Sequence, residues 1–176
     1  MSRVMTSALV IIDVQRMLVD ALPEQRRTEL LSRIGSLLER ARSSETPVVY
    51  VRHDGGPDEL TPGTPGWQIA SEIAPHANEP IVDKRFSDAF RATNLADVLA
   101  LAGIDHIVAC GMQTEFCVDA TIREAERRGY RVTLAGDAHA TFDAEGATEE
   151  QIRNQVHRVA RERIEIVAAE SLFAIP

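Results

Sequence analysis

The regular alternation of short aliphatic runs with longer amphipathic ones constrains this chain more than any other feature. Ser7 to Ile12, Pro47 to Arg52, Pro80 to Val82, His106 to Cys110, Arg131 to Ala135 and Ile164 to Val167 read as strands, each short, aliphatic and bounded by turn signals. Between them, Glu24 to Arg42, Asn94 to Ala102, Thr114 to Arg128 and Thr148 to Arg161 carry apolar residues at helical spacing. Asn94, Thr114 and Thr148 serve there as N-caps, and Gly103 and Gly129 as stops. Strands separated by helices form parallel sheets covered on both faces, so the expected class is α/β. With 176 residues and 44% hydrophobic content, residues 1–176 are read as one domain with a full core. The segment from His53 to Asn78 breaks the alternation, packing five glycines and prolines into Pro57 to Gly66 beside the lone Trp67. It reads as a functional loop or lid over 53–78 that carries a short helix.

Charge and composition narrow the function. The formal net charge is −8 and the nineteen basic residues are scattered, which disfavours nucleic acid and anionic membranes and suits a small neutral or cationic ligand. The opening residues lack a signal-peptide pattern, and no apolar run approaches the roughly 20 residues that span a bilayer, so a soluble, intracellular, cytoplasmic protein is expected. Two cysteines, Cys110 and Cys117, make neither a disulfide framework nor a zinc cage. The five histidines are far apart in sequence, lack metal spacing and read mostly as surface or loop residues.

Three chemistry-bearing residues fall just past strand ends, the edge where open α/β sheets bind ligands: Asp13, Lys84 and Cys117. Cys117 sits in the first turn of a helix after an apolar run ending in glycine, where backbone N–H groups lower a thiol pKa from about 8.5. Asp13 closes the run Ala8 to Ile12, where a carboxylate is costly without a partner or a task. Lys84, flanked by Asp83 and Arg85, gains meaning only from the other two. In strand order 3-2-1-4-5-6, strands 1 and 4 are neighbours and bring Asp13 to Cys117; Lys84 is then two strands away, roughly 10 Å, which a lysine side chain nearly covers. Cys110, inside its strand, reads as an inert buried hydrophobe.

The stretches Leu9-Val-Ile-Ile-Asp-Val-Gln15, Asp83-Lys-Arg-Phe-Ser-Asp-Ala-Phe90, Cys110-Gly-Met-Gln-Thr-Glu-Phe-Cys-Val118 and Gly129-Tyr-Arg-Val-Thr-Leu-Ala-Gly-Asp-Ala138 together resemble the isochorismatase-like cysteine hydrolases, which include nicotinamidases and N-carbamoylsarcosine amidases. The resemblance runs from about Ala8 to Leu172. It implies a six-stranded parallel sheet with helices on both faces, in three layers, and a triad of Asp13, Lys84 and Cys117. It also implies a non-proline cis peptide at Met112-Gln113, which aims the Gln113 N–H alongside the Cys117 N–H as an oxyanion hole. The implied activity is hydrolysis of a small-molecule amide through an acyl-thioester, with release of ammonia or an amine. Nicotinamidases hold a metal with an aspartate and several histidines, whereas this chain offers His53 and Asp54 without further nearby histidines, so no metal or other cofactor is assigned. Family members commonly pair, which implies a homodimer or higher homo-oligomer.

Leu18, His53, Trp67, Phe86, Phe116 and Phe142 are the residues read as substrate-pocket walls, with ordinary packing as the alternative. Gln15 reads as a supporting residue at the sheet edge, Thr114 as a cap, and Thr121 as packing behind the thiol. Two competing functions stand beside the hydrolase: a catalytically idle relative that binds a metabolite or partner, and a redox sensor pairing Cys117 with Cys110.

Overall fold

A computed structural model describes residues 6–55 and 60–173. The ends of the 1–176 span, and residues 56–59 of the loop including Pro57, lie outside the described residues. Six parallel strands form one sheet: β1 (Ser7–Ile12), β2 (Val48–His53), β3 (Ile81–Lys84), β4 (His106–Met112), β5 (Arg131–Ala140) and β6 (Glu165–Val167), in the order β3-β2-β1-β4-β5-β6. The helices are α1 (Arg16–Asp20), α2 (Glu24–Ser43), α3 (Leu95–Leu101), α4 (Asp119–Arg127) and α5 (Glu149–Ala160). No helix among the described residues is long and apolar enough to cross a membrane.

Period-two alternation in β1 sorts its side chains between two cores. Leu9 and Ile11 pack with Leu30, Ile34, Leu37, Leu38 and Ala41 of α2, whereas Ala8, Val10 and Ile12 pack with Leu95 and Leu99 of α3 and Ile122 and Ala125 of α4. The α2 contacts recur at i, i+4, i+7, i+8 and i+11, the stripe that buries one face of a long helix. Helices thus cover both faces of the sheet.

Strands β2 to β5 run past the ends read from the sequence, to His53, Lys84, Met112 and Ala140. The extensions carry polar or small residues, so aliphatic patterning stops short of them while the parallel hydrogen-bond ladder does not. The helix expected from Thr114 is divided: residues Thr114–Val118 form a π-type turn and α4 begins at Asp119. Thr114 caps nothing there; its hydroxyl instead meets His139. Asn94 also makes no side-chain cap, and the Leu95 N–H donates to Thr93 Oγ1. Thr148 does cap, in a reciprocal box with Gln151. The short α1 is absent from the sequence reading because five residues are too few to show a helical period.

Within the 53–78 loop are two single turns of 3-10 helix, Pro65–Trp67 and Ser71–Ile73. Its second half is stapled to the segment after β1: the Arg16 N–H donates to the Gln68 carbonyl and the Ala70 N–H to the Val14 carbonyl.

Candidate active site

Parallel register sets the site. Ile12 lies opposite Val51 and Gly111, and His53 lies opposite Lys84, so the residues after β1 and β4 and the ends of β2 and β3 converge on one edge of the sheet. Asp13 leaves β1 with φ of 50°, in the left-handed region that aspartate tolerates better than most residues. Gly111 permits the approach of β4. Its φ is 124°, and a Cβ there would stand 2.0 Å from the Ile12 carbonyl oxygen. The Met112-Gln113 peptide is cis.

Asp13, Lys84 and Cys117 meet. The Lys84 Nζ lies 2.8 Å from Asp13 Oδ2, 2.9 Å from His53 Nδ1 and 3.3 Å from Cys117 Sγ. The Lys84 and Asp13 side chains are fully buried, and an isolated ion there would be untenable, so the pair holds together by mutual compensation. The second Asp13 oxygen, Oδ1, is buried and has no hydrogen-bond partner among the described residues. Burial raises the Asp13 pKa, and the neighbouring Lys84 opposes that rise. Burial, then the Asp13 carboxylate, pushes the Cys117 thiol up to about 12 against the pull of Lys84. This corrects the expectation of a thiol lowered by its helix start: the sequence shows the helix but not the carboxylate and the apolar walls, which outweigh it.

A cavity of about 360 Å³ opens over these groups, lined by Asp13, Met17, Leu18, His53, Leu60, Ser87, Gln113, Phe116 and Cys117. Leu18, His53 and Phe116 are therefore at the pocket. Trp67 and Phe86 are not. The Trp67 indole N–H donates to Asp54 Oδ1 and its ring lies under the Arg52 guanidinium, while Phe86 is exposed beneath Arg91. Phe142 lines a different hollow, with Leu22 and Arg26. Aromatic type alone marked these three; the cation and indole contacts of Trp67 and Phe86 depend on tertiary neighbours. Met17, Leu60 and Ser87 were missed. For Met17 the available signal was its place two positions past Gln15, on the segment leaving Asp13. A larger hollow of about 650 Å³ lies at the opposite end of the strands, around Pro47, Pro80 and Leu101, far from any of this chemistry.

The single ligand atoms of Asp13, His53 and Cys117 lie within 4.8 Å of one another, a spacing that could hold a metal ion. The donor set does not fit one. The Lys84 ammonium is already within hydrogen-bond distance of all three, and a dication among them would face it at close range. Asp54, which follows His53, is turned to the Trp67 indole.

Gln15 is fully buried and bonds entirely to backbone: its amide N–H groups donate to the carbonyls of His53 and Trp67, and its oxygen accepts from the His53 N–H. Thr121 also supports the site, its hydroxyl accepting from the Ala89 N–H. His139 is buried, contrary to its reading as a surface or loop residue, and links the Thr114 hydroxyl to His157 through contacts of 2.8 Å on each side. Burial, then His157 beside it, holds the His139 pKa well below the usual histidine value. Cys110 packs in the α2-side core and Cys117 against the α3/α4-side core, so the sheet separates the two thiols and a Cys110–Cys117 redox pair is not formed.

A profile of the isochorismatase domain matches residues 7–161. The chain belongs to the isochorismatase family. Among relatives of this isochorismatase-family chain, a streptothricin hydrolase from Streptomyces noursei is 40% identical over 146 residues, covering 81% of this chain and 52% of that protein. The chain thus spans about half the length of the streptothricin hydrolases it matches. In structure it is similar to a protein from Oleispira antarctica assigned to the isochorismatase hydrolases, with a TM-score of 0.92, 29% identity and coverage of 99% of this chain and 100% of the other. The N-carbamoylsarcosine amidase of Thermoplasma acidophilum superposes with a TM-score of 0.80 at 26% identity, covering 94% of this chain and 98% of its own. The family relatives are hydrolases, amidases among them.

Proposed function

We propose that this protein hydrolyses a small-molecule amide with Cys117 as nucleophile. The observation that carries the reading is one buried ammonium, Lys84, in contact with both the Asp13 carboxylate and the Cys117 sulfur at the floor of a cavity. The names of its relatives, a streptothricin hydrolase and an amidase, support amide chemistry.

In this scheme Asp13 Oδ1 takes the thiol proton while Sγ adds to the amide carbon. Lys84 holds Oδ2 and steadies the charge that develops on sulfur. The Gln113 and Cys117 N–H groups receive the carbonyl oxygen as it becomes an oxyanion. Collapse expels the nitrogen, which leaves as ammonia or an amine with the proton from Asp13, and a thioester remains. Asp13 then accepts a proton from water as its oxygen attacks the thioester, releasing the carboxylic acid and returning that proton to Cys117. A thiol whose pKa is pushed up by burial suits this sequence, because proton transfer to Asp13 then accompanies formation of the carbon–sulfur bond. The apolar walls of Met17, Leu18, Leu60 and Phe116 fit the acyl part of a small substrate.

The test is ammonia release from a panel of primary amides, followed by the pH profile of kcat/KM on the best of them. Asp13 must be ionised to act as base, and its pKa is raised by burial. Activity is therefore lost as pH falls through a value above the ordinary 3.8 of aspartate. An acid limb at or below that value, or a limb unchanged in Asp13→Asn, would rule out Asp13 as the base. The absence of turnover across the panel, with Cys117 equally unreactive to alkylation, would favour the idle binding relative.

A further inference from the structure

The Lys84–Asp13 ion pair compensates the two buried charges, but it leaves the remaining donor protons of Lys84 to be placed in a fully buried site. An ammonium has three donor protons and no acceptor, and each unmet proton in such a place is costly. Two of the three contacts go to Asp13 and Cys117, and the third goes to His53 Nδ1 at 2.9 Å. We propose that His53 is a positioning residue for catalysis, whose neutral ring accepts the third proton of Lys84 and so holds the ammonium against Cys117 Sγ. This rests on the hydrolase reading above and adds to it a fourth member of the machinery.

The fold builds this contact from backbone upward. His53 and Lys84 are paired residues of parallel strands β2 and β3, so their side chains rise from the same face about one strand spacing apart. The buried Gln15 amide grips His53 by both its N–H and its carbonyl, at 2.9 and 3.0 Å, which fixes the backbone from which the ring projects. Next to an ammonium, Nδ1 can only be an acceptor, so the ring carries its proton on Nε2. A ring protonated on both nitrogens would place a donor against a donor. Asp13 and Cys117 face the same ammonium from the end of β1 and from the turn before α4, and Asp54, next to His53 in the chain, is engaged by Trp67. His53 is thus part of the buried charge arrangement as well as a wall of the cavity.

The experiment compares three variants that differ in where an acceptor sits. In His53→Asn the amide oxygen falls at the place of Nδ1; in His53→Gln it falls at the place of Nε2; in His53→Ala it is gone. Cys117 reactivity is read by the rate of iodoacetamide alkylation at pH 7.5, peptide by peptide, and kcat and KM are measured on the best amide of the panel. His53→Ala and His53→Gln are expected to alkylate about 10- to 100-fold more slowly and to lose kcat rather than gain KM, while His53→Asn stays within roughly threefold of wild type. If His53→Ala fails to give a cooperative melt, the Asn and Gln variants alone decide. Equal rates in those two, or a change confined to KM, would reduce His53 to a pocket wall. A Lys84→Ala variant that keeps wild-type reactivity would overturn the hydrolase reading itself, which tells the two failures apart.

Discussion

Cys117→Ala is expected to abolish ammonia release, by roughly 10,000-fold or more, while the protein still folds. The carbon–sulfur bond is the first one formed, and no neighbouring side chain can replace it: Lys84 is a buried ammonium with all three protons engaged, and Asp13 is its partner. The structural cost is small. Cys117 is partly exposed at the cavity floor, so losing its sulfur removes little packing, on the order of 1 kcal/mol. Wild-type and variant should therefore melt within a few degrees of each other and differ only in turnover. Unchanged activity in the variant, measured on the amide the wild type hydrolyses fastest, would remove the nucleophile from the scheme.

The second large effect lies in β4, the strand that leads to Cys117. Gly111→Ala is expected to destabilise the fold by about 4 kcal/mol or more in urea unfolding, and to lower activity even in the folded fraction. The reason is geometric: the new methyl would stand 2.0 Å from the Ile12 carbonyl oxygen, on a backbone whose φ of 124° an alanine resists. That carbonyl belongs to β1 and cannot swing aside as a side-chain tip could. Because Ile12 immediately precedes Asp13, any shift that relieves the clash moves the proposed base. Gly35→Ala supplies the control. It sits inside α2 with no heavy atom within 4 Å of the added methyl, and helix propensity predicts a gain of about 0.5 to 1 kcal/mol. Similar destabilisation by both substitutions would refute the steric argument.

Much of the candidate site was legible because its parts are local. Asp13 follows an aliphatic run, Cys117 follows a strand and a glycine, and the edge on which they meet is a consequence of parallel topology. The strand ends were less legible. His53 and Lys84 complete β2 and β3, yet they carry polar side chains for which hydropathy gives no strand signal. Aromatic residues misled for a related reason: Trp67 and Phe86 are large and close in sequence to the site, but their faces are taken by Arg52 and Arg91, partners visible only in space. The thiol pKa went the other way from its helix-start reading because electrostatics at Cys117 is set by burial and by Asp13, more than a hundred residues away in the chain.

The sequence by itself determined the α/β class and the three candidate residues just past strand ends, because alternation and strand ends are properties of neighbours along the chain; the sheet order followed from the family resemblance and is seen in the structure. Only the tertiary structure decided which acceptors surround Lys84, which walls close the cavity, that Gly111 must be bare, and that burial and Asp13 push the Cys117 thiol pKa up. Those depend on distances between separate strands, and a buried charge is governed by whatever lies within a few ångströms of it, however far off that is in sequence.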